Sequence, residues 1–272
     1  MSLENIVSIH KGKGSRSELD NDRGIFILNI IRNIKDRLVY NEIYETIEKN
    51  MSDSQVGAQR EKGIRNHLFV LYSIINSVRQ NESPPIDLTV YDVKKCFDKL
   101  WLLECCNKLY ESGIQNDLLA LIYDGNQNHN VAVKVPGLGM TDRVVINNIV
   151  AQGSVPGPPC CAVLVDSIGK DAINNNKHLY RYKGEVGIPA LGLIDDVANV
   201  AVCGVDSVAD NAYIVAKFEQ VTLELNSGKC HQMHVGKENK YCPTLTAHEE
   251  EMDVVLSEKY LCLLYTSPSP RD

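Results

Sequence analysis

The chain has 272 residues, is 44% hydrophobic and carries a net charge of −7, a size and composition that allow one large or two modest globular domains. Its 9 cysteines include no CxxC pair, and neither a signal peptide nor a long apolar span opens the sequence. This excludes a disulfide scaffold and predicts an intracellular, reduced protein of the nucleus or cytoplasm, without a membrane partner. Charge is uneven, with 12 Lys and Arg against 11 Asp and Glu in residues 1–86, and 16 against 24 in residues 87–272. Composition alone therefore argues against a strong grip on nucleic acid, which normally comes from clustered cations.

Residues 4–24, with "HKGKGSR" and "LDNDRGI", are polar and Gly-rich and predict a loop or short-strand region. Ile27, Ile30, Ile31, Ile34 and Leu38 then recur at helical spacing, which predicts one or two helices to about Asn50. "MSDSQVG" breaks that pattern with cap-type residues, and a second long helix is expected from about Arg60 to Arg79. Pro84 and Pro85 bound "IDLTVYDV", whose β-branched residues read as a strand. Two helical stretches follow, "LWLLECCNKLYESG" and "NDLLALIYDGN", before "NVAVKVP" and "DRVVINNIV", which read as a hairpin. "AQGSVPGPPCC" is a loop leading into a helix; a hairpin around Asp195 and Asp196, a helix from about Ser207 to Leu225 and a turn at Gly228 complete the order. The pattern is that of an α+β chain without repeats.

The two carboxylates of "GLIDDVANVAV" interrupt an apolar run, and no Lys, Arg or His lies between Gly184 and Lys217. Buried carboxylates need compensation. Neighbouring side chains on a strand point to opposite faces, so Asp195 and Asp196 can address one ligand only from a tight turn, here the tip of a hairpin. Asp92, at the end of the strand in "YDVKKCFDKLW", is a third acidic group if the two strands lie side by side. Clustered carboxylates suit divalent cations, and three of them suit a two-metal phosphoryl-transfer site. The competing reading is that each Asp caps a turn.

"YDVKKCFD", "AQGSVPG", "LIDD" and "LNSGKC", in this order, resemble motifs A, B, C and D of reverse transcriptases, most nearly the non-LTR (LINE-type) retrotransposon group. "IHKGKG", "NDRGIFIL" and "MSDSQVGAQREKGIRNHLFVLYSII" resemble that group's fingers motifs, so the resemblance covers about residues 4–261. It implies a right-hand polymerase fold: fingers over residues 1–86, and a palm over 87–261 in which an antiparallel sheet packs on helices, with a fingers insertion at about 112–150. It further implies Mg²⁺ as two ions, with Mn²⁺ as an alternative, held by Asp92, Asp195 and Asp196. The partners it implies are an RNA template, a DNA primer and deoxynucleoside triphosphates. Lys11 and Arg23 match the cations that hold the triphosphate, with Lys13 an alternative to Lys11. Phe97 matches the side chain that blocks a ribose 2′-hydroxyl. Gln152 and Gly153 match the motif B loop beside the incoming nucleotide, and Lys229 matches a residue near the leaving pyrophosphate.

The sequence departs from the family at Leu193, where many relatives have an aromatic, and at Gly24, where Pro is commoner. "EKYLC" resembles the start of the primer grip but runs into "CLLYTSPSPRD", which resembles the translation of a transposase sequencing adapter. Residues 262–272 are therefore expected to be disordered, and the thumb to be missing. A zinc set of Cys230, His234, Cys242 and His248 fits no tight ligand spacing and is disfavoured. The alternative function is a catalytically inactive reverse-transcriptase relic that only binds nucleic acid or protein.

Overall fold

The computed structural model describes residues 3–12, 14–15, 18, 21–135, 139–237, 245–247, 249–255, 257–260 and 263–266. In chain order the first elements are β1 (Leu3–His10), β2 (Asp22–Ile27), α1 (Ile30–Asn50), α2 (Ile64–Arg79), β3 (Ile86–Tyr91), α3 (Cys96–Lys99), α4 (Leu102–Glu111) and α5 (Asn116–Gly125). Next are β4 (His129–Val135), β5 (Gly139–Met140), β6 (Val144–Ile146), α6 (Gly157–Asn175), β7 (Arg181–Tyr182), β8 (Val186–Gly187), β9 (Leu191–Leu193), β10 (Asp196–Val202) and α7 (Val205–Gln220). The last are β11 (His231–Val235), β12 (Thr246–Ala247), β13 (Glu250–Glu251), β14 (Asp253–Val254), β15 (Ser257–Tyr260) and β16 (Leu263–Thr266). The chain divides into two compact units, Met1–Asn50 with Phe97–Cys161, and Met51–Cys96 with Ala162–Asp272.

The first unit is built on a sheet of order β2-β1-β4-β5, with β6 also paired to β4. β1 and β2 form an antiparallel hairpin, and β1 runs parallel to β4. α1 follows the expected periodicity but turns the other face inward: Ile30, Ile31, Ile34 and Leu38 are exposed, while Arg32, Asp36, Val39, Ile43, Tyr44 and Ile47 are buried. The physical reason is a buried polar network. Arg32 Nη1 lies 2.6 Å from Glu4 Oε1, Arg32 Nε lies 3.4 Å from Asp36 Oδ2, and Arg32 Nη2 donates to Asn126 Oδ1 at 3.3 Å. His129 Nδ1 lies 2.7 Å from Glu4 Oε2. A buried cation is tolerated where its donors are matched in this way, and hydrophobic spacing alone does not reveal the match.

In the second unit the sheet has the order β14-β11-β3-β10-β9. All its pairings are antiparallel except that of β11 with β14. Pleating gives it two different faces. One carries Ile86, Leu88, Ala198, Val200, Met233 and Val235 into a core with Leu71, Ile74, Ile75 and Val78 of α2; burying each large side chain contributes about 1.5–3 kcal/mol. Residues 51–86, grouped by sequence with the first region, therefore pack in the second unit, and residues 97–161, a longer stretch than the expected insertion, belong to the first. The reason is that the apolar face of α2 is complementary to β3 and β11.

The opposite face is polar and buried, with Thr89, Tyr91, Asn199 and Gln232. α7 contributes Asn211, whose Oδ1 accepts from the Tyr91 hydroxyl at 2.8 Å, and Asp210, which accepts from the amides of Asn199 and Asn176. Burial pushes the Asp210 carboxyl up to about 6. The folded chain therefore binds this proton more tightly than the unfolded chain. Stability from the group is full below its unfolded value and is lost as pH rises through about 6, an effect of about 2–3 kcal/mol. Melting of the wild type and Asp210→Asn between pH 4 and 7 checks this: the difference between them should move against the wild type as pH rises, and a constant difference would refute it.

In the expected disordered tail, Leu263–Thr266 instead pairs with Ser257–Tyr260 as a two-stranded ribbon, because backbone groups of the two segments can satisfy each other. Cys262 and residues 267–272 lie outside the described residues.

Candidate functional site

β9 and β10 are joined by a two-residue turn, Ile194 and Asp195, with Leu193 opposite Asp196. The expected hairpin tip is present, but its two carboxylates occupy different places: Asp195 is the second turn residue, half-buried, and Asp196 opens β10. β3 pairs with β10 through Val90 opposite Ala198 and Tyr91 opposite Val197, so one further step brings Asp92 level with Asp196. The electrostatics agree with this placement. The Asp196 carboxyl is raised above the usual carboxylate range, first by burial and then by the negative charge of Asp92. A divalent cation fits this donor set of crowded, hard oxygen ligands.

Asp92 is braced by the segment after α7. Its carbonyl accepts from the Asn226 N–H at 2.8 Å, and its N–H donates to Cys230 Sγ at 3.4 Å. Val93 bridges to Leu225, and the Lys94 N–H donates to the Glu224 carbonyl at 2.7 Å. Burial pushes the Cys230 thiol up to about 11, consistent with a neutral packing group. Lys229 Nζ lies 3.4 Å from Asp92 Oδ2. Asp92 thus has a protein cation beside it, supplied by the segment after α7.

Sequence reasoning missed Gln55. It is 1% exposed, and its side-chain amide holds both backbone groups of Ile194: the Ile194 N–H donates to Oε1 at 2.9 Å, and Nε2 donates to the Ile194 carbonyl at 3.2 Å. Oε1 also accepts from the Gly57 N–H at 2.9 Å. Ile194 has φ 60°, a left-handed conformation that is costly for a β-branched residue and persists only where the surroundings enforce it. The main chain completes the clamp, with the Val56 N–H donating to the Gly192 carbonyl at 2.9 Å and the Gly192 N–H to the Ser54 carbonyl at 2.7 Å. A Cβ on Gly57 would stand 2.4 Å from the Ile194 nitrogen, so this close approach requires glycine. In the sequence, Gln55 and Gly57 stand in a helix break and inside the fingers-like stretch "MSDSQVGAQREKGIRNHLFVLYSII", with nothing to single out their role.

The remaining predicted residues belong to the first unit. Arg23 on β2 pairs with Ile9 on β1, and the Lys11 N–H donates to the Asn21 carbonyl at 2.8 Å. Continued pleating puts Lys11 and Arg23, both exposed, on one face of the hairpin; Lys13 lies outside the described residues. Phe97 on α3 is half-buried, and its ring edge lies 3.6 Å from where a Cβ on Gly157 would be. Gly153 has φ 107° in a turn closed by the Ser154 N–H donating to the Ala151 carbonyl at 2.9 Å. Positive φ at this third turn position favours glycine. The half-buried Gln152 accepts at its carbonyl from the Phe26 N–H at 2.9 Å, which ties the loop to β2. Of the disfavoured zinc set, Cys230 packs against Asp92, and Cys242 and His248 lie outside the described residues.

Among the described residues, no helix is long and apolar enough to cross a membrane. The chain is similar in fold to apo telomerase from Candida tropicalis truncated from its C-terminal domain, with TM-score 0.62, 12% identity, and coverage of 97% of this chain and 53% of that one. Apo telomerase from Candida tropicalis gives TM-score 0.61 and 11% identity, covering 92% of this chain and 47% of that one. Telomerase from Candida albicans in complex with a fragment of telomeric RNA gives 0.57 and 14%, covering 92% and 44%. The chain spans about half the length of these structures. No curated protein matches it. The expected α+β fold of fingers and palm is borne out by these likenesses. The family model described as reverse transcriptase (RNA-dependent DNA polymerase) matches residues 9–260, and the chain belongs to that family.

Proposed function

We propose that this chain is the fingers and palm of a non-LTR, LINE-type reverse transcriptase, adding deoxynucleotides to a DNA primer on an RNA template. The observation that carries the reading is the meeting of Asp92 and Asp196 beside the Asp195 turn, on strands braced by Gln55 and Cys230. The ordered motifs from "IHKGKG" to "LNSGKC" support the LINE-type assignment. RNA in one of the telomerase structures similar to this chain supports an RNA template.

In this reading Asp92, Asp195 and Asp196 hold Mg²⁺, which when bound neutralises the developing charge of phosphoryl transfer and lowers the pKa of the attacking hydroxyl. Gln55 keeps the turn bearing Asp195 in its left-handed conformation, so that the carboxylate needs no rearrangement when substrate arrives. Lys229, already paired with Asp92, is a mobile positive charge for the leaving pyrophosphate. Lys11 acts on the triphosphate as a point charge and Arg23 as a bidentate donor. Gln152 and Gly153 line the incoming nucleotide.

Phe97 offers no hydrogen-bond partner to a ribose 2′-hydroxyl and no room for it, so it selects deoxynucleotides. Phe97→Val is expected to raise the ratio of ribo- to deoxynucleotide incorporation by about 10–100-fold, the scale of discrimination by an apolar pocket wall. Steady-state incorporation with matched ribo- and deoxynucleotides measures that ratio; an unchanged ratio would remove Phe97 from the sugar site.

A further inference from the structure

The three central strands of the second unit carry a second group of ligating side chains at the end remote from Asp92. On β3, Asp87 pairs with His234 of β11 on one side and with Ala201 of β10 on the other. Cross-strand partners share a face, and residues two apart on a strand share it too. Cys203, two residues past Ala201, continues that face; its N–H donates to the Pro85 carbonyl at 3.0 Å, which holds the chain close to β3. Asp87, His234 and Cys203 thus converge, and one ligand atom from each lies within 4.8 Å of the other two. Along β3, Asp87 and Asp92 are about 16 Å apart at the rise of an extended strand, so this group is separate from the carboxylates of the polymerase site.

Its hydrogen bonding is incomplete. Asp87 is 0% exposed. One carboxylate oxygen lies 3.1 Å from His234 Nδ1, but the other, Oδ2, is buried with no hydrogen-bond partner, as is His234 Nε2. Such groups in a native fold call for a further ligand. Ala201, opposite Asp87, contributes only a methyl group to that face.

We infer that Asp87, Cys203 and His234 form a zinc site that ties together the ends of β3, β10 and β11. One oxygen, one nitrogen and one sulfur ligand suit a borderline-soft cation of tetrahedral habit. Mg²⁺ and Ca²⁺ prefer oxygen alone. With zinc–ligand distances of about 2.0–2.3 Å, the three side chains need only close inward, leaving a fourth position for water. The zinc set disfavoured from sequence shares only His234 with this one. Spacing along the chain cannot reveal the site, because its ligands come from three strands and are brought together by register. The inference does not depend on the proposed polymerase activity.

The test is a Co²⁺ titration of the purified 272-residue chain, followed by absorption spectroscopy. Saturable binding with a thiolate-to-cobalt charge-transfer band, displaced by Zn²⁺, is expected. Carboxylate-bound cobalt at Asp92, Asp195 and Asp196 gives no such band. Cys203→Ser should abolish the band, and His234→Gln should weaken Co²⁺ binding at least tenfold. Cys230→Ser and Cys242→Ser should leave the band unchanged. Absence of the band in the wild type, its survival in Cys203→Ser, or its loss in Cys230→Ser or Cys242→Ser would overturn the assignment. If Cys203→Ser fails to fold, His234→Gln decides the question: unchanged Co²⁺ affinity overturns the site.

Discussion

Gln55→Ala is expected to destabilise the chain by about 3–5 kcal/mol and to reduce primer extension by more than its loss of folded protein explains. The substitution removes the partner of three backbone groups, the N–H and carbonyl of Ile194 and the N–H of Gly57. Leaving a buried donor or acceptor unmade costs about 1–3 kcal/mol each. Ile194 at φ 60° has an independent tendency to relax to an ordinary conformation once the clamp is gone. That relaxation moves Asp195, so the activity of the remaining folded protein should fall as well. Gln55→Glu keeps one acceptor but buries an uncompensated carboxylate with an oxygen facing the Ile194 carbonyl, and is expected to be destabilised at neutral pH as well. Chemical denaturation and single-turnover extension at a temperature where each variant is folded measure the two effects separately. Lost stability with full activity would make Gln55 a packing residue only.

Asp92→Asn and Asp195→Asn should each slow extension by about a thousandfold or more, since metal stabilisation of transition-state charge is worth several kcal/mol. Stability should move differently. The Asp196 carboxyl is raised by burial and by Asp92. A raised folded-state value means that ionised Asp196 is a stability cost at neutral pH, relieved as pH falls, and a small one, because the residue is exposed to solvent and screened by it. Asp196→Asn should therefore melt at or above the wild-type temperature at pH 7 while losing activity. For Asp92→Asn the gain is offset by loss of the partly exposed pair with Lys229, worth about 0–1 kcal/mol. Thermal melts at pH 7, without and with Mg²⁺, distinguish these contributions: Mg²⁺ should raise the wild-type melting temperature more than that of either Asn variant.

The hairpin at Asp195 and Asp196 was legible because both flanks alternate as strands, and a carboxylate pair in such a run has few stable places other than a turn. Asp92 was legible for a similar reason, as the polar end of a β-branched strand bounded by Pro84 and Pro85. Gln55 was not, because its partner lies 139 residues away and a Gln in a polar stretch carries no periodic signal. Ile194 reads as a strand residue; only the structure reveals its left-handed turn. In α1 the helix was legible but not its inward face, because the burial of Arg32 depends on Glu4, 28 positions away. The placement of residues 51–86 depends likewise on which sheet accepts the apolar face of α2, a choice set by tertiary complementarity.

If the carboxylates at the β9–β10 turn and the end of β3 perform RNA-directed DNA synthesis, primer extension must depend on them. The most direct measurement is single-turnover incorporation of labelled deoxynucleotides on a DNA primer annealed to an RNA template, in Mg²⁺ and low salt, where weak phosphate contacts are penalised least, with the wild type and Asp195→Asn side by side. The wild type is expected to add the nucleotide complementary to the template, and Asp195→Asn none above background. Incorporation by Asp195→Asn at the wild-type rate would contradict that dependence.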